Sequence, residues 1–224
     1  AQYGTNGNQH GEVLTVAAQH GNVEGLAYLS MDGGNLYEDG AGIETDGTKP
    51  DMNNSLAKFA WNSRNGGRLE FQGSYLKDEA VRPNRANFGA LANGSPPTLQ
   101  TFRRKTFTLS YRDEAPTDMV NPEVVLSYNK SNLLVNDLQF GPFTFDMRSE
   151  TASHNGKFAN TFATGLGLAD SGTLTAGVDF YRDKGSNNNS GGFGGNASLV
   201  NSETASNMGA FAQSRLNLSP KWRL

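Results

Sequence analysis

The chain has 224 residues, with 22 Asp and Glu against 19 Lys and Arg and a net charge of −3. That balance gives no reason to expect a nucleic-acid partner, which would call for a basic face. Hydrophobic residues make up 36% and the mean hydropathy is −0.56; apolar runs such as Val16-Ala17-Ala18 fall far short of the ~20 residues a membrane helix needs.

The opening Ala1-Gln2-Tyr3-Gly4 lacks the basic start and apolar core of a signal peptide. Cysteine is absent, which fits an oxidising or a reducing compartment equally. Residues 11–19 (GEVLTVAAQ) read as a strand, His20-Gly21-Asn22 as a tight turn, and residues 23–37 (VEGLAYLSMDGGNLY) as its partner. A long polar connection over 38–52 follows. Its acids, Glu38, Asp39, Glu44, Asp46 and Asp51, lack calcium-loop spacing and read as solvated.

The clearest element is residues 55–80 (SLAKFAWNSRNGGRLEFQGSYLKDEA). Leu69, Phe71, Gly73 and Tyr75 alternate with Arg68, Glu70, Gln72 and Ser74, and Ala57, Phe59 and Trp61 stand opposite Lys58 and Ala60. Arg64-Asn65-Gly66-Gly67 supplies the turn, so this is a long hairpin with one apolar and one charged face. A second long connection is expected from 81 to about 102, then a strand over 104–112 that sets Phe107, Leu109 and Tyr111 against Thr106, Thr108, Ser110 and Arg112. After a connector at 116–122 comes a strand over 123–129, extendable through 133–135. Residues 138–156 are read as a third long excursion, although Phe143-Thr144-Phe145 has strand character. Residues 157–168 and 173–183 form a pair, with Leu174, Ala176, Val178 and Phe180 facing one way and Thr175, Asp179 and Tyr181 the other. A fourth loop is expected over 185–206, and residues 207–218 and 222–224 start another hairpin across Ser219-Pro220.

Arms of this length approach the ~9–11 residues with which a tilted strand crosses a bilayer. Connections that alternate short and long, four times over, match a barrel with short periplasmic turns and long outer loops. The predicted fold is all-β, an antiparallel up-and-down transmembrane barrel segment of about ten strands. Tyr28, Trp61, Tyr75, Tyr111, Tyr128 and Phe180 are the expected aromatic girdles, and Lys58, Arg68, Glu70, Arg112 and Asp179 the expected lumen lining. A soluble β-rich adhesin or lectin-like sandwich is the alternative in which the same aromatics fill a core.

The succession GNVEGLAYLSMDGGNLYEDG, DGTKPDMNNSLAKFAW, TFRRKTFTLSYR, LTAGVDFYRD and GAFAQSRLNLSPKWRL resembles the barrel of TonB-dependent outer-membrane receptors, in particular the haem and haemoglobin uptake branch. The resemblance spans nearly the whole chain through degenerate strand motifs, without a catalytic signature. It implies a 22-stranded barrel closed by an N-terminal plug, opened by a TonB-type energy transducer, in the bacterial outer membrane. This chain departs from the pattern in its strand number, in lacking a plug and a partner-binding box, and in having no terminal aromatic strand after Leu224; residues 1–224 then read as a partial barrel domain. The Phe-Arg-Ala-Pro and Asn-Pro-Asn-Leu loop segments of haem receptors are absent too. Val81-Arg82-Pro83-Asn84 and Asn121-Pro122-Glu123-Val124 only echo them, so no haem ligand carries over.

The residues themselves offer a short list of ligand contacts. His10 and His154 are expected toward the extracellular rim, where a histidine can meet haem iron, whereas His20 falls in a short periplasmic turn. Arg82 and Arg85 flank an outer loop, and Arg103 and Arg104, with Lys105, could hold haem propionates or lipopolysaccharide phosphates. For each, a solvated histidine or basic rim is the bland alternative. No intrinsic cofactor, metal site or catalytic cluster is indicated. Haem or an iron chelate is the expected cargo; the expected partners are outer-membrane lipid and lipopolysaccharide, the TonB-type transducer, and haem or a haem carrier. A passive porin shares every strand-level feature, while an outer-membrane phospholipase or protease would need a nucleophile or activated water beside a histidine and a carboxylate, which periodicity does not show.

Overall fold

A computed structural model describes the backbone of residues 1–224 except 46, 83–95, 114–118, 141–142, 165–170, 192–197, 220–221 and 224; side chains at 140, 164, 171, 198–199, 217–219 and 222–223 are likewise outside the description. Eleven strands form one antiparallel sheet in which every strand pairs only with its sequence neighbours. They are β1 Gln2–Gly4, β2 Gln9–His20, β3 Val23–Gly33, β4 Asp51–Asn62, β5 Gly67–Arg82, β6 Thr98–Asp113, β7 Pro122–Phe140, β8 Phe143–Thr164, β9 Ser171–Gly191, β10 Ser198–Ser219 and β11 Trp222–Arg223. A 3-10 turn, Asn6–Asn8, separates β1 from β2. This is the topology of an up-and-down barrel wall, with β1 and β11 at its two margins.

The alternation predicts the two faces of the central strands. Cross-strand partners share a face, and the register pairs Phe59 with Phe71, Trp61 with Leu69, and Phe71 with Leu109. The same register pairs Phe107 with Tyr128 and Phe158 with Val178. Phe71, Leu109 and Val178 are 46%, 40% and 36% exposed in the isolated chain, so they do not point into a dry core. Among the described residues the buried apolar set is Ala60, Ala80, Val135 and Ala159, too small and too scattered for a sandwich interior. Two outward glycines are covered by rings: a Cβ built at Gly156 would collide with Phe180, and one at Gly73 would lie 3.3 Å from Phe107.

The turns after β2 and β4 lie at one end. The turn 63–66 closes with the Ser63 amide donating to the Gly67 carbonyl at 2.6 Å and the Gly67 amide to Ser63 Oγ at 2.8 Å. Gly66 has φ of 89°, a value that strains any residue with a Cβ. His20 is the last residue of β2, so the two-residue turn is Gly21-Asn22.

At the opposite end the expected rhythm changes. The connection 34–50 is long, because β3 stops at Gly33 and does not run to residue 37, and β5 and β6 reach Arg82 and Thr98, which narrows the second connection to 83–97. The third and fourth loops are not loops. Residues 138–140 and 143–156 belong to β7 and β8, whose pairing runs up to Phe140 opposite Phe143, and residues 185–191 and 198–206 belong to β9 and β10, paired from Ser190 opposite Ser198. The long strands of β7 to β10 hold 19 to 22 residues, about twice what a bilayer needs, so they continue as ribbons past the membrane. There, both faces meet water and no apolar period is required. A classic signal is therefore missing from Gly185-Ser186-Asn187-Asn188-Asn189-Ser190, and Gly, Asn and Ser read as a loop while the ladder continues. The register slip between Val135 and Leu138, with Asp137 at φ of 54° and its amide bonded to Asp146 Oδ1 at 3.0 Å, marks a bulge in the first ribbon.

Tyr28 also departs from expectation. It pairs with Thr15 and Leu56 on the polar face, while Gly25, Ala27, Leu29 and Met31 form the outward row of β3. Both rows of β3 carry large apolar residues, so alternation alone could not choose between them. A lysine at Leu109 should destabilise the assembled barrel by about 2–4 kcal/mol if that position lies near the bilayer midplane. Thr108→Lys, one residue away on the other face, should be nearly neutral. Unfolding in urea from liposomes, read by heat-modifiable migration, separates the two; equal losses would refute the assignment of faces.

Candidate functional site

The polar face gathers the charged residues that the strand pattern sets opposite the aromatics. Near the turn end, Arg68 on β5 is the hub. Its two terminal nitrogens reach Glu24 Oε1 and Oε2 of β3 at 3.0 and 2.8 Å, a bidentate pair, and Nη1 also donates to Asn62 Oδ1 at 2.8 Å. Asn62 Nδ2 donates to Glu24 Oε1 at 2.8 Å. Glu70 lies 3.4 Å from Arg68 and takes Lys58 Nζ at 2.8 Å. Farther round the wall, Lys157 meets Glu123 at 2.7 Å and stands opposite Asp179 in the register. Lys58, Arg68, Glu70, Arg112 and Asp179 thus share the face expected of them. Glu24 and Asn62 complete the network and were not singled out from the sequence; the parity of Glu24 with Leu26 was the available signal, obscured by the mixed rows of β3.

This face offers shallow recesses. One, of about 440 Å³, lies beside the hub and is lined by Ala17, Gln19, Glu24, Leu26, Lys58 and Arg68 among others. A second, of about 550 Å³, lies at the loop end between Tyr3, Gln9, His10, Asp32, Asp78 and Arg82. Arg82 bonds Asp78 at 2.8 Å there; His10 borders the same recess, but it pairs with Gly33 and its ring lies over Gly33 on the outward row, so its imidazole stands on the opposite face from Arg82.

The loop at that recess is built, not draped. Asp39 Oδ1 accepts the amides of Ala41 and Ile43 at 2.8 and 2.9 Å, and the Asp39 amide donates to the Ile43 carbonyl at 2.8 Å. The amides of Ile43 and Ala41 hold the Asp39 carboxyl below its usual range. Asn6 then clamps the loop to the 3-10 segment, donating to the Glu38 carbonyl at 2.7 Å and accepting the Glu38 amide at 2.8 Å. The Asn35 amide adds a bond to the Gly7 carbonyl at 2.7 Å. These acids therefore shape a turn, and among the described residues no cluster has the make-up of a metal site.

The other candidate residues are dispersed. Arg103 and Arg104 are adjacent in β6 and so face opposite ways: Arg104 pairs with Leu76 and Ser131 on the polar face, Arg103 with Lys77 and Asn132 on the outward one. His154 lies in β8, not in a rim loop. Its ring sits 4.9 Å from that of Tyr128, which stacks on Phe107 at 6.5 Å, so it belongs to the outward aromatic row. His10 likewise is a strand residue, opposite Gly33. Arg85 falls outside the described residues.

No family model matches the chain. Over 213 residues, 95% of its length, it is 29% identical to the "Heme transporter BhuA" of Brucella ovis and 28% identical to that of Brucella abortus strain 2308. It spans 30% of the length of these curated relatives. Among solved structures, "Copper transporter OprC" superposes with a TM-score of 0.73 at 16% identity, over 97% of this chain and 33% of that one. The FrpB iron transporter from Neisseria meningitidis gives 0.60 at 11% identity, over 97% and 44%. The ferric yersiniabactin uptake receptor FyuA from Yersinia pestis gives 0.53 at 15%, over 96% and 43%. These structural likenesses establish the fold, a barrel wall seen here in part.

Two outcomes test the geometry of this face. Arg68→Ala leaves Glu24 and Glu70 without their shared cation and should lower the melting temperature of the assembled barrel more than Lys58→Ala, which removes one contact. A smaller loss for Arg68→Ala would overturn its place as hub. For the loop, Asp39→Ala should raise the rate of protease nicking between residues 37 and 45 several-fold. Since the folded Asp39 titrates below its unfolded value, the wild-type loop should keep its protection down to the ordinary carboxylate range and lose it as pH falls through the lowered folded value. Unchanged cleavage in the variant would show that the Asp39 bonds do not order the loop.

Proposed function

We propose that this chain, which is a partial barrel of the TonB-dependent receptors of the bacterial outer membrane, forms part of the wall of an importer that carries an iron-bearing compound inward, with haem as the cargo. The observation that carries the reading is the similarity to haem transporters along nearly the whole chain, on a wall whose inner face is lined by charged, mutually bonded side chains. Such a face is unsuited to an apolar solute and well suited to packing against a removable polar domain, since each ion pair can be exchanged for another without leaving a charge bare.

In this reading the cargo is first held at the loop end, where Tyr3, Asp32, Asp78 and Arg82 line the 550 Å³ recess. The Arg82 guanidinium can take a propionate there; His10, over Gly33 on the outward row, is set apart from it. Arg104 lies on the same face lower down and offers a second cation along the route. A plug outside residues 1–224 would close the lumen, and a TonB-type partner would supply energy through it. The wall residues bind and guide; no bond is made or broken in the cargo, so no catalytic group is assigned.

A strain lacking other routes for haem, supplied with the receptor that contains this barrel segment, should grow on haem as its iron source. Growth should cease when the energy transducer is deleted or the proton gradient is collapsed. Uptake that persists without either would assign the wall to a passive porin. Growth on other iron compounds but not on haem would overturn the choice of cargo while leaving the importer intact.

A further inference from the structure

The charged network lies at the turn end of the inner face, and nearer the loop end that face carries a second pattern. Tyr28 of β3 stands directly opposite Leu56 of β4. Leu56 is opposite Ser74, so Leu76 of β5 lies two residues farther toward the loops; Leu76 is opposite Arg104, so Phe102 of β6 lies two farther again. Phe102 then faces Leu133 of β7, and Leu133 is opposite Ser149, which puts Met147 of β8 one more step up. Six neighbouring strands thus give one large apolar side chain each, in a line that climbs obliquely from just above Lys58 to the loop end. All six side chains are half-buried. Lumen positions are polar by default, and Ser74, Asn54, Ser131 and Ser149 border the line accordingly. The apolar line therefore needs a cause of its own.

Arg104 is set into this line, directly opposite Leu76 and two residues from Phe102 on the same strand. It is exposed and makes no ion pair among the described residues, whereas Lys58, Arg68, Arg82 and Lys157 on the same face each hold a carboxylate. None of the three histidines reaches the line. His10 lies over Gly33 and His154 beside Tyr128 on the outward face, and His20 ends β2 at the turn.

We propose that the line is a track along which the wall passes a flat, apolar ring system bearing a carboxylate, the porphyrin body of the cargo, and that it recognises the ring and its carboxylate, not the metal. The proposal rests on haem as the cargo. With strands about 4.8 Å apart and a rise of about 3.3 Å per residue, neighbouring rungs stand about 5 to 8 Å from one another. A rigid ring can therefore touch the next rung before it leaves the last. Arg104 offers a charge-assisted bond to the carboxylate partway along. An unpaired guanidinium within an apolar line fits a ligand that is itself apolar with an anionic edge; a polar domain resting on the wall would meet paired charges, as at the hub.

The test uses the receptor that contains this segment, purified in detergent, with haem and metal-free protoporphyrin as probes and binding read by quenching of tryptophan fluorescence. Wild type should hold the two probes with affinities within about threefold of each other. F102Q/L133Q should weaken both about tenfold or more, R104Q should weaken both several-fold, and R104K should recover most of that loss. K130Q, which removes a cation from the outward face, should bind as wild type. Protoporphyrin dimethyl ester, its carboxylates masked, should not distinguish R104Q from wild type. Heat-modifiable migration confirms that each variant is assembled; were F102Q/L133Q not to assemble, L76N alone should show the weakening. Haem held about tenfold more tightly than the metal-free ring would overturn ring recognition in favour of an iron ligand such as Met147. Unchanged binding of both probes by the assembled variants would overturn the track while leaving the cargo intact, and passive entry of a large antibiotic through those same variants would give the line to the packing of a plug. Wild type that binds neither probe would overturn the cargo and the track together.

Discussion

Backbone pairing governs everything else in this wall. Within hydrocarbon an unpaired amide or carbonyl costs several kcal/mol, so each strand must pair on both sides along its whole transmembrane length. The consequence is a sheet in strict sequence order, because the nearest partner for any strand is the next one in the chain. Side chains then have two options only, lipid or lumen. The outward rows of β5, β6 and β9 are apolar for about eight residues from the turn end, and the inward rows of the same strands carry Arg68, Glu70, Arg112 and Asp179. Low mean hydropathy follows directly, since half of every strand faces water.

The parts of this plan readable from the sequence are those where lipid imposes a period of two. The hairpin 55–80 is legible residue by residue, as is the split of Phe107, Leu109 and Tyr111 from their polar neighbours. Legibility fails where the period has no cause. In the ribbons of β7 to β10 beyond the membrane both faces are solvated, so the ladder runs on through Asn187, Asn188 and Asn189 with no apolar mark. In β3 the failure is different in kind. Leu26 and Tyr28 face inward while Leu29 and Met31 face out, and only the register with β2 and β4 fixes which is which.

The candidate site shows the same division. The inward placement of Arg68 and Lys58 follows from alternation, but that Glu24 and Asn62 arrive at the same point depends on register between three strands. Adjacent residues in a strand cannot act together on one ligand, and Arg103 and Arg104 illustrate it: a run of basic residues in sequence becomes two half-sites on opposite faces. His154 was expected in a loop because the segment around it, Ser149 to Asn155, is polar; its ring contact with Tyr128 places it instead at the top of an aromatic row. The ordered loop 34–50 depends on Asn6 and Asp39, whose bonds span 32 and 4 residues, distances over which residue pattern gives no warning.

On the importer reading, the inward pairing of charge follows from what that face must release. Inward, Arg68 is matched by Glu24 and Glu70, and Lys157 by Glu123, so on the importer reading a domain packed on these pairs can leave without baring their charge. Outward, just past the aromatic row, Lys77 faces Arg103 across the ladder and is bonded to Glu79 at 3.0 Å, while Lys130 is bonded to Glu150 at 2.8 Å. A lumen surface that accepted and lost its occupant repeatedly would favour such self-compensation. Basic neighbours such as Arg103 and Arg104 thus stand about three ångströms apart in rise and on opposite faces, separated only by the parity of the strand.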